Sequence, residues 1–357
     1  MKLNDKSNMP DSSITPDLFE FWKNKAVRTS KRGHFWIAGE RVMKDGQTFQ
    51  NGPMFVAWEA PEQVTQPYPV ILVHGGLLQG TEWLDTPDGR PGWAQRMVEA
   101  GYAVLVVDRP GHGHSHTHPD LTGPVGTPFS YEDGRHVFFP SEWADRHTQW
   151  PFDREDDAAL DSFIAPFGPL PAKLAESQKM DTDRLVKLLD RVGKCILMTH
   201  SASGPLGWLV ANKRPDLVVG VVTVEPIGPA FADIHGIGRL DWGLTAAPVT
   251  YDPPLQTAAD VEAADPATLQ IPALKGLQVA LVTGGASPFA KSAPATVGFL
   301  NTAGASAEEL HLPDHGVDGN GHGLIYELNS DEALVPVLEW LKALTDKKKA
   351  EKPELTE

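Results

Sequence analysis

The chain has 357 residues, with 31 Lys and Arg against 47 Asp and Glu, a formal charge of −16 and one cysteine. That length holds one large α/β domain with insertions or two modest domains, and it buries a core without disulfide or metal staples. The acidic balance argues against a nucleic-acid partner, since only Lys347 to Lys349 form a basic run, and the lone Cys195 excludes an intrachain disulfide.

Residues 1–32 read as a polar arm in which Leu18, Phe19, Phe21 and Trp22 supply an amphipathic turn or two. The arm lacks the apolar stretch of a signal peptide, and no run approaches the roughly 18 apolar residues of a membrane span. No membrane partner is therefore expected, and the chain as given reads as cytoplasmic, although a leader already removed would leave no trace.

From 33 to 346 the pattern is that of one domain. Strand-like runs fall at 34–37, 54–60, 69–73 and 103–107, with a helix over 92–100 making the last two a βαβ unit. Further strands are expected at 194–199, 218–224 and 278–282, with a weaker one at 308–312. Helical patterns occupy 183–192, 204–213 and 331–344, the last with Ala333, Leu334, Val337, Leu338 and Leu341 on one face. Apolar strands alternating with helices predict an α/β fold with a mainly parallel, doubly covered sheet. Two stretches interrupt the alternation. Residues 113–180 carry Phe129, Phe138, Phe139, Trp143, Trp150, Phe152, Phe163 and Phe167 and read as a cap over a site, while 226–272 is a second irregular insertion. Residues 347–357 form a charged tail.

Residues 195–204 read Cys-Ile-Leu-Met-Thr-His-Ser-Ala-Ser-Gly. An apolar strand runs into a small-x-Ser-x-small turn centred on Ser201, with Thr199 and Ser203 at the flanking positions. A turn sharp enough to lift a serine hydroxyl above a sheet crowds the backbone on both sides, so only small side chains fit. Centring the motif on Ser203 instead would put Pro205 at a small position.

A serine nucleophile needs a base, a carboxylate to orient it, and donors for the charge on the attacked carbonyl oxygen. The run at 278–282 leads into Thr283-Gly284-Gly285-Ala286-Ser287 with no carboxylate. The strand at 218–224 ends in Glu225-Pro226, which makes Glu225 the candidate acid. Among His311, His315 and His322, the last sits in the Gly-rich Asp318-Gly319-Asn320-Gly321-His322-Gly323 loop, which can fold back over the sheet, so His322 is preferred as base over His315. For the oxyanion, strand 69–73 leads into His74-Gly75-Gly76-Leu77, and the N–H groups of Gly76 and Ala202 are the natural pair of donors.

Taken together, His74-Gly75, Thr86-Pro87-Asp88-Gly89-Arg90, Gly92-Trp93, Asp108-x-x-Gly111-x-Gly113-x-Ser115, His200-Ser201-x-Ser203-Gly204, Val224-Glu225-Pro226 and Gly319-Asn320-x-His322 resemble the bacterial esterase 713-like group of α/β hydrolases. A sulfonylurea-herbicide-de-esterifying carboxylesterase is similar to the same group. The resemblance implies an α/β-hydrolase fold with carboxylic-ester hydrolysis and a Glu, after the strand following the nucleophile, in place of the usual acid. It extends from about Gly33 to Leu344 and is weakest over the two insertions, so no substrate preference carries over.

The expectation is a serine carboxylesterase with catalytic Ser201, Glu225 and His322, no cofactor or metal, and a small or medium, partly apolar or aromatic ester as substrate. Amidase, lactonase or carbon–carbon hydrolase activity with the same residues stays open, as do a non-catalytic ligand-binding role and a homodimer. The alternating His112, His114, His116 and His118 could share a face for a transition metal in an extended strand, but Pro110, Gly111 and Gly113 favour a loop at the site mouth.

Overall fold

The computed structural model describes residues 27–351, so the amphipathic turn expected at 18–22 lies outside the described residues. The chain begins with β1 (Ser30–Ile37), a hairpin of β2 (Glu40–Lys44) and β3 (Gln47–Asn51), then β4 (Met54–Pro61), β5 (Val70–Val73), α1 (Trp93–Glu99) and β6 (Val104–Asp108). The first insertion holds α2 (Pro119–Thr122), α3 (Tyr131–Phe138) and α4 (Asp157–Ile164). It leads into α5 (Leu174–Val192), β7 (Cys195–His200), α6 (Gly204–Lys213) and β8 (Val218–Val224). The second insertion contains the two-residue strands β9 (Asp233–Ile234) and β10 (Gly238–Arg239) and the helix α7 (Ala258–Ala263). β11 (Gln278–Thr283), α8 (Ala293–Thr302), β12 (Ser306–His311) and α9 (Ser330–Ala350) complete it.

Eight strands form one sheet in the order β1-β4-β6-β5-β7-β8-β11-β12, in which only β4 runs against the rest. After β5 the chain steps outward to β6 and then returns to β7 on the other side. This reversal opens a crevice at the carboxyl ends of β5 and β7, where ligands of such sheets sit. The central strands are buried on both faces, which explains their unbroken apolar runs. Val70, Leu72, Ile196 and Met198 pack with α1 and α9, while Ile71, Val73, Cys195 and Leu197 pack with α5, α6 and α8.

One irregularity shapes the middle of the sheet. Cys195 pairs with Val218 but Ile196 with Gly220, so β8 carries an extra residue there. Val219 and Gly220 consequently both turn toward α9. A Cβ on Gly220 would lie 2.6 Å from Cδ2 of Leu344, so the missing side chain is the space that Leu344 fills.

Element boundaries differ from the sequence reading where polar side chains are buried. The helix expected at 183–192 begins at Leu174, because its first turns bury Ser177, Gln178, Asp181 and Thr182 instead of an apolar stripe. Gln178 Oε1 accepts from the N–H groups of Ala246 and Ala247 at 2.8 and 3.0 Å, and Asp181 pairs with Arg109. Lys347 to Lys349 belong to the last turn of α9, where cations complement the helix dipole, rather than to a tail. The β2–β3 hairpin was not foreseen. Its Asp45-Gly46 turn has φ of 50° and 75°, the left-handed pair that closes two-residue hairpins.

In the first insertion Ser130 and Asp133 form a capping box for α3, and Asp156 caps α4. Phe138, Phe139, Trp150 and Phe163 are buried in one cluster with ring centroids 4.6 to 6.4 Å apart, continuous with the core under α1 and α9. This aromatic burial anchors a segment that has little regular structure of its own.

Gly220→Val should lower the unfolding free energy by about 1–3 kcal/mol through overpacking against Leu344. In urea titrations, combining it with Leu344→Ala should give a smaller loss than the two single changes summed, because both act on one space.

Candidate active site

At the end of β7 the backbone of Ser201 is left-handed, with φ of 53°, a conformation that costs a non-glycine residue on the order of 1–3 kcal/mol. The surroundings over-determine it. The Ser203 hydroxyl accepts from the His200 N–H at 2.9 Å and lies 3.0 Å from the Val73 carbonyl and 2.8 Å from that of His200, which tie the turn to β5. Thr199 Oγ1 donates to Thr223 Oγ1 at 2.9 Å. Both flanking residues thus use their hydroxyls to bind the turn, something glycines at these positions could not do. Space is just as restricted: a Cβ on Gly75 would meet His200 Nδ1 at 3.0 Å, and one on Gly204 would meet Pro226 Cβ at 2.6 Å.

His322 Nε2 lies 2.9 Å from Ser201 Oγ, and its Nδ1 lies 3.5 Å from Glu225 Oε2. The imidazole is buried between Phe289, stacked at 4.0 Å with an 18° tilt, and Phe138 at 5.4 Å. Glu225 follows β8 directly with φ of 47° and is fully buried. Its Oε1 accepts the Gly284 N–H at 2.7 Å and its Oε2 accepts the Ser287 hydroxyl. The Thr283-to-Ser287 turn, empty of carboxylates, therefore supplies the donors that hold the carboxyl of the neighbouring strand. Burial pushes Glu225 up to about 8, against the pull of Ser287 and Gly284, and Glu327 and Glu309 push it further. Burial, and then His200, hold His322 well below its ordinary value of 6.5. Each group alone resists its charged form, so charge on one is favourable only with charge on the other.

Gly76 and Ala202 adjoin. A Cβ on Gly76 would sit 2.9 Å from the Ala202 Cβ, so glycine alone lets the two turns meet. Leu77 follows with φ of 67°. The first turn is fixed from behind by Arg109, whose Nη2 donates to the Gly75 carbonyl at 2.6 Å, whose N–H donates to His74 Nε2 at 3.0 Å, and which pairs with buried Asp181 at 3.0 Å. Asp108 closes the next loop: its carboxylate accepts from the N–H groups of Gly80 and His114 at 2.7 and 2.8 Å, and a Cβ on Gly113 would strike it.

The His322 loop has its own brace, which sequence reasoning missed. Buried Glu327 accepts from Asn320 Nδ2 at 2.9 Å, from the Gly321 N–H at 3.0 Å and from His147 Nε2 at 2.7 Å. His147 comes from the first insertion, and its neighbours Thr148 and Gln149 donate their N–H groups to the Gly319 carbonyl at 3.1 and 3.2 Å. Arg90 of the Thr86-to-Arg90 turn donates to the Glu327 carbonyl at 2.8 Å. Nothing in the local sequence marks Glu327 or His147, since their pairing spans distant parts of the chain.

His315 is exposed on a short 3-10 turn, and His311 bonds Thr283 Oγ1 at 3.0 Å, so neither reaches Ser201. His112 turns inward beside His74, while His114 stacks outward on Phe55 at 4.4 Å, so the alternating histidines do not converge. Among the described residues no group of three or more His, Cys, Asp or Glu could hold a metal ion. A cavity of about 450 Å³ lies between Leu78–Asp88 and Pro151–Pro166; it reaches Glu82 and Tyr326 but not Ser201.

Residues 68–245 match the model of the α/β hydrolase fold. The chain is 34% identical over 325 residues to a probable secreted lipase, phiG, of a fungal species (strain ATCC 74256), which covers 83% of this chain and 88% of that one. It belongs to the α/β-hydrolase family. The hydrolase also superimposes on the atomic-resolution structure of a novel bacterial esterase with a TM-score of 0.68 and 23% identity, over 90% of this chain and 98% of the other, which shows the shared fold. The fungal relative corrects one expectation. It is called secreted, which overturns the cytoplasmic reading: a polar start does not fix the compartment, because an exported chain whose leader has been removed also begins with polar residues, and a lone cysteine bears only on disulfides. Among the described residues, no helix is long and apolar enough to cross a membrane.

Gly284→Ala should move the His322 loop, because the new Cβ would lie 2.4 Å from the Asn320 carbonyl oxygen. Turnover should fall at least about tenfold, and the melting temperature should drop as well because the clash is with backbone. The raised Glu225 carboxyl has a pH signature. Its contribution to stability is complete below 4.5 and is lost as pH rises through about 8, so Glu225→Gln should gain stability relative to wild type across that window in denaturant titrations.

Proposed function

We propose that this hydrolase is a serine carboxylesterase acting on small-molecule esters. The observation that carries the reading is the left-handed Ser201 with its hydroxyl 2.9 Å from a buried imidazole. Ser201 Oγ attacks the ester carbonyl carbon while its proton passes to His322 Nε2. The N–H groups of Gly76 and Ala202 stabilise the oxyanion, and Glu225 stabilises the imidazolium from the Nδ1 side. Collapse of the tetrahedral intermediate expels the alcohol, which takes the proton from His322 and leaves an acyl-enzyme. Water then attacks the acyl carbon, gives a proton to His322 and releases the acid as Ser201 regains its own.

Several lines support ester chemistry. The motifs resemble the esterase 713-like group, and one relative is named a probable lipase. Beside Ala202 an apolar cluster joins buried Ile227 and Leu240 to partly exposed Leu174, Ile234, Ile237 and Phe289. That surface, supplied mostly by the second insertion with Leu174 and Phe289 added from either side, suits a partly apolar acyl or alcohol group.

Ser201→Ala and His322→Ala should each lower kcat on a short p-nitrophenyl ester at least about 10⁴-fold, and a fluorophosphonate should label wild type once, at Ser201. His315→Ala should keep most activity; loss there with retention in His322→Ala would overturn the choice of base. Glu225→Gln should cost on the order of 10³- to 10⁴-fold in kcat. A protein that is labelled but cleaves amides or carbon–carbon bonds faster than esters would replace the esterase reading.

A further inference from the structure

Of the buried histidines, His200 is distinguished by its partners. His74 donates from Nδ1 to the Gly75 carbonyl at 2.8 Å and accepts the Arg109 N–H on Nε2. His112 faces the Pro110 carbonyl with Nδ1 and His147 faces Glu327 with Nε2, and among the described residues the other nitrogen of each has no partner. His322 has a carboxyl on Nδ1 and a hydroxyl on Nε2. One ring proton satisfies each of these four.

His200 has an acceptor at both nitrogens. Nδ1 lies 3.1 Å from Glu82 Oε2, and Nε2 lies 3.2 Å from the carbonyl oxygen of His322. A carbonyl oxygen only accepts, so Nε2 must carry a proton. Glu82 in turn accepts the Gly75 N–H on Oε1 at 2.9 Å. A carboxylate needs a donor opposite it, so Nδ1 carries a proton as well. Both side chains are shielded from solvent, where an unmatched acceptor pair would be costly.

We propose that Glu82 and His200 form a carboxylate–imidazolium pair that positions the three catalytic turns and keeps the neighbouring His322 free of its second proton. Through Gly75 the pair holds the turn bearing Gly76, through its own backbone it precedes Ser201, and through the His322 carbonyl it holds the base loop. His200 and His322 have ring centroids 5.0 Å apart, close enough for a positive charge on one to disfavour a proton on the other. The other titratable groups around this pair of rings are Glu225 beyond His322, His74 backed by Arg109 and His112, and Tyr326, within electrostatic reach of both Glu82 and Glu327, the last already matched with His147. Glu225 favours the His322 imidazolium and the His200 charge opposes it, so the base takes a proton from Ser201 without holding one at rest. The inference rests on His322 being the base proposed above.

Glu82→Gln is the informative change. Its amide oxygen can still accept from Gly75 and its NH₂ can donate to His200 Nδ1, so the bridge is kept while the imidazolium loses its counter-charge. The ratio of variant to wild-type kcat/KM should then fall about tenfold between about pH 8 and about pH 6, as His322 protonates at higher pH. In ¹⁵N-histidine spectra of wild type at about pH 8, His200 should show both ring nitrogens protonated, and in Glu82→Gln only one. A singly protonated wild-type His200, or a ratio that does not vary with pH, would overturn the proposal. The wild-type spectrum answers even if the variant does not fold. Activity retained in His322→Ala would instead overturn the choice of base, leaving the His200 signals to be read on their own.

Discussion

The tight turn at Ser201 sets the terms for everything around it. A serine held left-handed at a strand end is unfavourable in isolation, and it persists because neighbouring groups leave it no alternative. Ser203 ties it to β5, Thr199 ties its strand to β8, and Gly75 and Gly204 let the adjoining turns approach to contact distance. The interlocking glycines and hydroxyls scattered through the motifs are the means of closing this one turn.

Much of the fold could be read from the chain because the central strands are buried on both faces and display continuous apolar runs. Helix α6 was legible to the residue, since Gly204 and Pro205 mark its start. Helix α5 was not, because it buries hydroxyls, an amide and a carboxylate where periodicity looks for apolar side chains. At the site, chain order led to Ser201, Glu225 and His322, and the structure brings these three together. It leaves His315 at the surface. The supporting residues were invisible for a common reason. Glu82 with His200, Glu327 with His147 and Ser287 with Glu225 are pairs far apart in sequence, each meaningful only once the sheet has brought its members together.

Buried carboxyls dominate the electrostatics of the crevice. Glu82, Glu225 and Glu327 each accept a backbone N–H and bond a further side chain, one at each turn of the candidate site. Burying so much acid is expensive, and a packed apolar substitute would often be more stable. What the carboxyls provide is placement: a carboxylate that accepts from two elements fixes their separation within a few tenths of an ångström, which apolar packing of loops does not achieve.

The hydrogen bonds from residues 147–149 to the His322 loop bear on how such a protein could diversify. An insertion that merely roofed the crevice could be exchanged wholesale, each exchange offering a new preference. Here the aromatic insertion also carries part of the framework of the His322 loop, so replacing it would disturb the geometry at Ser201 along with the lining of the crevice. The freer material for variation is the short stretch around Ile234 and Ile237, which borders Ala202 and bears none of that framework.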